Sequence, residues 1–141
     1  MTQSLWSTVK VDQDFQDIRI VDLDVAKTTW SRIHESMRVV YLKLSAQPPD
    51  LVWEKYFFED RNSRICIQHR GLWIEDGYIS FDCLPQDIET FHIPDITRSV
   101  KYANKLYHEY AITRRREREL AREAEKDELG ELEELRKRLK F

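Results

Sequence analysis

Four arginines, Arg114, Arg115, Arg116 and Arg118, follow directly on Tyr107, His108 and Tyr110. Guanidinium groups pair with phosphate oxygens and tyrosine rings stack on bases, so this cluster is the nucleic-acid candidate of the chain. Acids interrupt it at Glu117 and Glu119 and continue at Glu123 and Glu125. Cys66, His69, Cys83 and His92 carry metal-capable groups. Cys66 and His69, three apart in a strand-like stretch, point to opposite faces, and no Cys-x-x-Cys knuckle exists, so no metal site is expected. Asp22 and Asp24 share one face of a strand-like run; a solvated sheet edge accounts for them better than a shared cation. His34 and His108 stand alone and read as surface or capping histidines.

Other chemistries fall away on spacing. Pro49-Asp50 and Glu54-Lys55 carry the residue types of a metal-dependent nuclease, but that arrangement needs them on neighbouring strands and here they share one helix. Glycine occurs only at 71, 77 and 130, so a phosphate-cradling loop is excluded in its usual forms. Neither a Gly-x-Ser-x-Gly elbow nor a His-Glu-x-x-His helix is present. No catalytic residue, no cofactor and no small-molecule ligand is implied. Three aromatics, Tyr41, Trp73 and Tyr78, fall on one side of the expected sheet; packing under the N-terminal lead-in is the more ordinary account of them, and a dimer surface or a stacked ligand the other.

These residues sit in a chain of two compositions. Residues 1–112 hold 13 Lys/Arg against 17 Asp/Glu; residues 113–141 hold 10 against 9 and no Trp, Tyr or Pro. The first part is rich in aromatic and β-branched residues and is long enough for one compact α+β domain; the second cannot bury a core of its own. An acidic first part argues against general electrostatic capture of nucleic acid or of anionic membrane. MTQSLWSTVK has no basic flank before an apolar run, and stretches free of polar residues are only about four long. A cytoplasmic chain without a membrane span is therefore expected. Two cysteines in apolar surroundings read as reduced, buried thiols.

Periodicity supplies the elements. Asp17 to Val25 alternates as a strand, residues 26–36 connect, and Arg38 to Ser45 is a second strand. Pro48-Pro49-Asp50 stops it and opens a helix to about Asp60, with Trp53, Tyr56 and Phe57 on one side. Arg64 to His69 alternates again and leads toward a strand through Gly71. Asp76-Gly77 between two alternating runs predicts a type I′ hairpin in which Ile74 faces Ile79 and Leu72 faces Phe81. Tyr41-Leu42-Lys43-Leu44, with Pro48 and Asp50, recurs 37 residues later as Tyr78-Ile79-Ser80-Phe81, with Pro85 and Asp87. That echo suggests a doubled strand–strand–helix unit. A short helical turn follows near Gln86–Phe91.

Asp95 is then the expected N-cap of a helix whose buried face is Ile96, Val100, Ala103, Tyr107 and Ala111. No Pro interrupts it, and it runs to about Leu139. The fold expected is an antiparallel sheet of about four strands, helices on one face, and a long protruding C-terminal helix over 113–141. Leu129, Leu132, Leu135 and Leu139 form a stripe that the first 112 residues have nothing left to cover. The functional expectation is a non-catalytic adaptor that meets a protein partner or a second copy of itself through this helix and the exposed sheet face. Nucleic-acid association through the arginine cluster is the alternative, and a small enzyme without a recognisable motif is the third reading.

Overall fold

The computed structural model describes residues 15–32 and 35–141. The lead-in at 1–14, and His34, lie outside the described residues. The elements are β1 (Ile20–Leu23), β2 (Thr29–Trp30), β3 (Arg38–Leu44), α1 (Leu51–Asn62), β4 (Leu72–Glu75), β5 (Tyr78–Cys83) and α2 (Ile93–Arg138). All strand pairs are antiparallel, in the order β1-β3-β5-β4, with β2 on the same edge of β3 as β1. The described residues form a mixed α+β fold with two α-helices. By contact the chain divides into Gln16–His108 and a second unit that holds Glu109–Phe141.

The β4–β5 hairpin has the predicted register: Leu72 opposite Phe81, Trp73 opposite Ser80, Ile74 opposite Ile79 and Glu75 opposite Tyr78. Asp76 and Gly77 take φ of 53° and 79°, the left-handed pair that a two-residue turn demands. Pairing of β3 with β5 sets Leu42 against Ile79, residues 37 apart. A local two-fold through that pair therefore relates the two halves of the sheet. Each half runs strand, strand, helix, which is the doubled unit the sequence echo suggested. The halves differ in their first connection. A two-residue turn joins β4 to β5, whereas the stretch between β1 and β3 is long enough to add β2 to the sheet edge. The sequence reading left that stretch as a plain connection because two residues, Thr29 and Trp30, are too short a run to show a period.

One face of the sheet is apolar and closed. Val40, Leu42, Leu44, Ile79, Phe81 and Cys83 are at most 3% exposed, as are Trp53 and Phe57 of α1 and Ile96, Val100, Ala103 and Tyr107 of α2. Burial of side chains of this size contributes about 1.5–3 kcal/mol each before chain entropy is subtracted. Asp50 caps α1, its carboxylate accepting from the backbone N–H of Val52 at 2.9 Å. The same carboxylate accepts from the Tyr107 hydroxyl at 2.7 Å, tying the start of α1 to α2. Asn104 completes the core: its Oδ1 accepts from the Ile18 N–H and the Trp53 indole N–H, and its Nδ2 donates to the Ile18 carbonyl.

Two expectations are corrected. Residues 64–70 form no strand, and Ile65 and Ile67 are 96% and 85% exposed. Their polar neighbours turn inward instead, because Arg64 and His69 both reach the Asp95 carboxylate. Asp95 is not an N-cap either. Pro85–Asp87 is a 3-10 turn and Ile88–His92 a π turn that runs without a break into α2, so Asp95 lies inside the first turn of the helix.

Candidate functional site

The buried network around Asp95 is the densest polar feature of the structure. Its carboxylate is met by Arg61 at 3.0 Å, by His69 Nε2 at 2.8 Å and by Arg64. Arg64 also donates to Asp60 and to Ser99, and the Ser99 hydroxyl donates to Asp60. Burial works to raise the Asp60 carboxyl, but the hydrogen bonds from Arg64 and Ser99 outweigh it and hold that group below its ordinary value. Both carboxylates are taken up by donors of the protein itself, so neither stands open to a ligand. The network staples the loop after α1 to the start of α2. Sequence reasoning missed it because its members lie on three separate segments.

Beside it, Met37, Cys83, Asp87 and His92 line a cavity of about 130 Å³. His92 is 1% exposed, and its Nδ1 has no hydrogen-bond partner. Burial, then the nearby Arg61 charge, holds this imidazole below its ordinary value of 6.5. The neutral ring must therefore charge at a cost in the folded state. Stability is full above pH 6.5 and declines as pH falls through that value toward the folded one. Urea midpoints taken from pH 7.5 to 5 are expected to fall on the acid side, and to lose that slope in His92→Gln. Cys83 is pushed up to about 11, by burial first and then by Asp87 and Asp82, so it is a protonated thiol at neutral pH. Among the described residues, no three His, Cys, Asp or Glu side chains are grouped to hold a metal ion.

The face of the sheet away from the helices carries the predicted aromatics, but it divides them. Tyr78 donates its hydroxyl to Asp24 at 3.0 Å, and the Lys27 ammonium sits over both the Tyr78 and Tyr41 rings at 5.1 and 5.6 Å. That half is closed by the turn after β1; Asp24 is a turn residue that also accepts from the Lys27 N–H. Tyr41 and Trp73 instead border an open groove of about 350 Å³. Trp30, Arg32, Val39 and Asp82 also line it, and in the strand pairing Trp30 stands opposite Arg38, one position along from the Thr29–Val39 pair. Trp30 and Trp73 are 64% and 51% exposed, whereas Asp82 is 6% exposed. The Arg38 guanidinium already lies 3.1 Å from the centre of the Trp30 ring. Gly71 shapes the wall: a Cβ there would stand 2.7 Å from Cη2 of Trp73, so the indole lies along its strand over the glycine.

In the second unit, every residue from 119 to 141 is exposed. Leu129, Leu132, Leu135 and Leu139 are 56%, 52%, 41% and 48% exposed. At about 100° per residue, Leu132, Leu135 and Leu139 fall within about 60° of one another, with Leu129 a further 60° round. Charge along the helix comes in three blocks. Residues 114–122 hold five arginines against two glutamates, 123–134 seven acids against one lysine, and 135–141 four bases and no acid. Arg114, Arg115, Arg116 and Arg118 wind about the axis and make no single stripe. Arg114 bonds the Tyr110 hydroxyl at 2.9 Å.

The class that these features define is a two-layer α+β protein with a duplicated strand–strand–helix core and a long charged C-terminal helix. Set against protein families, curated proteins and solved structures, the chain matches none of them. Among the described residues, no helix is long and apolar enough to cross a membrane.

Proposed function

We propose that the protein is a non-catalytic accessory or adaptor module that self-associates through its C-terminal helix, leaving the open sheet face as a second contact surface. The observation that carries this reading is the exposed leucine stripe set between blocks of opposite charge. Two helices in parallel register would face acidic block to acidic block and basic to basic. Run antiparallel about a point between Glu133 and Glu134, each Leu132 meets Leu135 of the second copy. Arg136 and Lys140 then face Glu131 and Asp127 of the second copy. Apolar contact and charge agree on one pairing, as in short helical zippers.

Light scattering behind size exclusion tests it on the full chain. The expected result is a dimer that becomes monomeric in Leu132→Glu/Leu135→Glu. Arg136→Glu/Lys140→Glu weakens it, and the further changes Asp127→Lys and Glu131→Lys restore it. A wild-type chain that stays monomeric at about 100 μM, where even a micromolar pair would be largely associated, overturns the reading.

A second reading uses the basic block at Arg114, Arg115, Arg116 and Arg118 to hold nucleic acid. Its support is the local excess of arginine beside Tyr110. Retention on a polyanion column that falls steeply with salt, and is lost on reversing those four charges, would favour it.

A further inference from the structure

We propose that residues 10–14, in the lead-in outside the described residues, dock antiparallel along α2 with Asp14 and Asp12 paired to Arg115 and Arg118, so that the arginine block is held by the chain's own N-terminal acids. The described chain shows where that segment comes from. The Asp17 carboxylate meets His108 Nε2 at 2.7 Å, and the next residue, Ile18, is bonded through its N–H and its carbonyl to Asn104. The polypeptide therefore enters the fold beside α2, on the helix side of the sheet. Burial on α2 continues in the same direction. Ala111 is 3% exposed, and between residues 112 and 141 only Arg115 and Arg118 are half-buried, the rest being exposed. At about 100° per residue all three fall within about 80° of His108, so the face that receives Asp17 is the face that carries the two arginines.

Spacing and charge then set the register. An extended chain advances about 3.3 Å per residue and a helix about 1.5 Å. Counted back from Asp17 opposite His108, Asp14 comes about 10 Å along α2, where Arg115 stands at about 10.5 Å. Asp12 comes at about 16.5 Å against about 15 Å for Arg118, and Lys10 at about 23 Å against about 22.5 Å for Glu123. Each charge meets its opposite. Lys10, Asp12 and Asp14 also alternate in sequence, which puts them on one side of an extended segment. Single surface ion pairs are weak, so the three act together and salt releases them. The tether decides the occupant. A segment joined to α2 through Asp17 is present at an effective concentration in the millimolar range, so a polyanion or a second protein must displace it to reach the block. The stripe from Leu129 onward takes no part, and the pairing stands independently of self-association.

Backbone amide order parameters of residues 10–14, measured by nuclear magnetic resonance on the full chain, test the assignment. At about 50 mM salt they are expected at about 0.8, and below about 0.6 in wild type at about 1 M salt. The same loss is expected at low salt in Arg115→Glu/Arg118→Glu and in Asp12→Asn/Asp14→Asn, with the circular dichroism spectrum unchanged. Adding Asp12→Arg/Asp14→Arg to the arginine reversal should restore the ordered values. A polyanion column then separates guarding of the block from mere contact. Asp12→Asn/Asp14→Asn should elute at clearly higher salt than Glu75→Gln/Glu89→Gln, which removes the same charge at two exposed positions elsewhere. Wild-type values below about 0.6 at low salt, values unmoved by the arginine reversal, or equal elution of the two neutralised variants would overturn the proposal.

Discussion

Asp95→Ala is expected to cost about 3–5 kcal/mol, the range for removing one partner of a buried ion pair. The loss is large because of what stays behind. Arg61 and Asp95 have side chains only 4% and 5% exposed, and Arg64 and His69 converge on the same carboxylate. Without it, two guanidinium groups face each other in a poorly solvated place. A domain of this size has about 5–15 kcal/mol in all, so the variant should show a visibly unfolded population at 25 °C. Urea denaturation of the variant beside wild type measures it. Arg98→Ala is the control: Arg98 is 4.0 Å from Asp60 but 66% exposed, and its removal should stay within about 0.5 kcal/mol. Replacing Arg61 and Asp95 together with apolar residues should recover much of the loss. A buried pair exchanged for packing is often neutral, whereas a broken pair is not.

Asn104→Ala should be comparably severe, by another route. One amide holds three groups at once: the Ile18 N–H at 3.0 Å, the Trp53 indole N–H at 3.1 Å and the Ile18 carbonyl at 2.8 Å. Each loses its partner inside the protein, at about 1–3 kcal/mol for a buried group, so a total of about 3 kcal/mol or more is expected. The effect is also local. Ile18 leads into β1, whose pairing with β3 is short and irregular between Ile20 and Asp22. Amide exchange at Ile18 and along β1 should therefore quicken before the β3–β5 pair is affected. Should protection at Ile18 survive the substitution, the amide is not what anchors the strand.

Local chemistry made much of this fold legible. The β4–β5 register followed from Asp76-Gly77 and the alternation on either side, because a two-residue turn leaves one pairing that keeps both apolar sets on one face. The α1 start followed from the Pro48-Pro49-Asp50 stop, and the buried row from Ile96 to Ala111 from the 3.6 period. Failures arose where a distant partner overrode the pattern. Alternation from Arg64 to His69 resembles a strand, yet Asp95 draws the polar members inward and leaves Ile65 and Ile67 in solvent. Asp95 has an N-cap's composition and spacing, but the π turn before it makes the helix start earlier. On the sheet face, Tyr41, Trp73 and Tyr78 were visible together. Trp30 and Asp82 were not, since one lies on a two-residue strand and the other is an ordinary alternate residue of β5.

The local two-fold through Leu42 and Ile79 carries a consequence for how such a chain could arise. A polypeptide of half this length, holding a single strand–strand–helix unit, would have left its second strand as a bare edge beneath one helix. Two copies would have closed that edge by pairing the strand with its own duplicate, leucine or isoleucine against itself at the axis. Joining the copies end to end makes the closure independent of concentration. Joined in one chain, the halves need not be identical, and they differ most in the connection of the first, which adds β2 to the sheet edge.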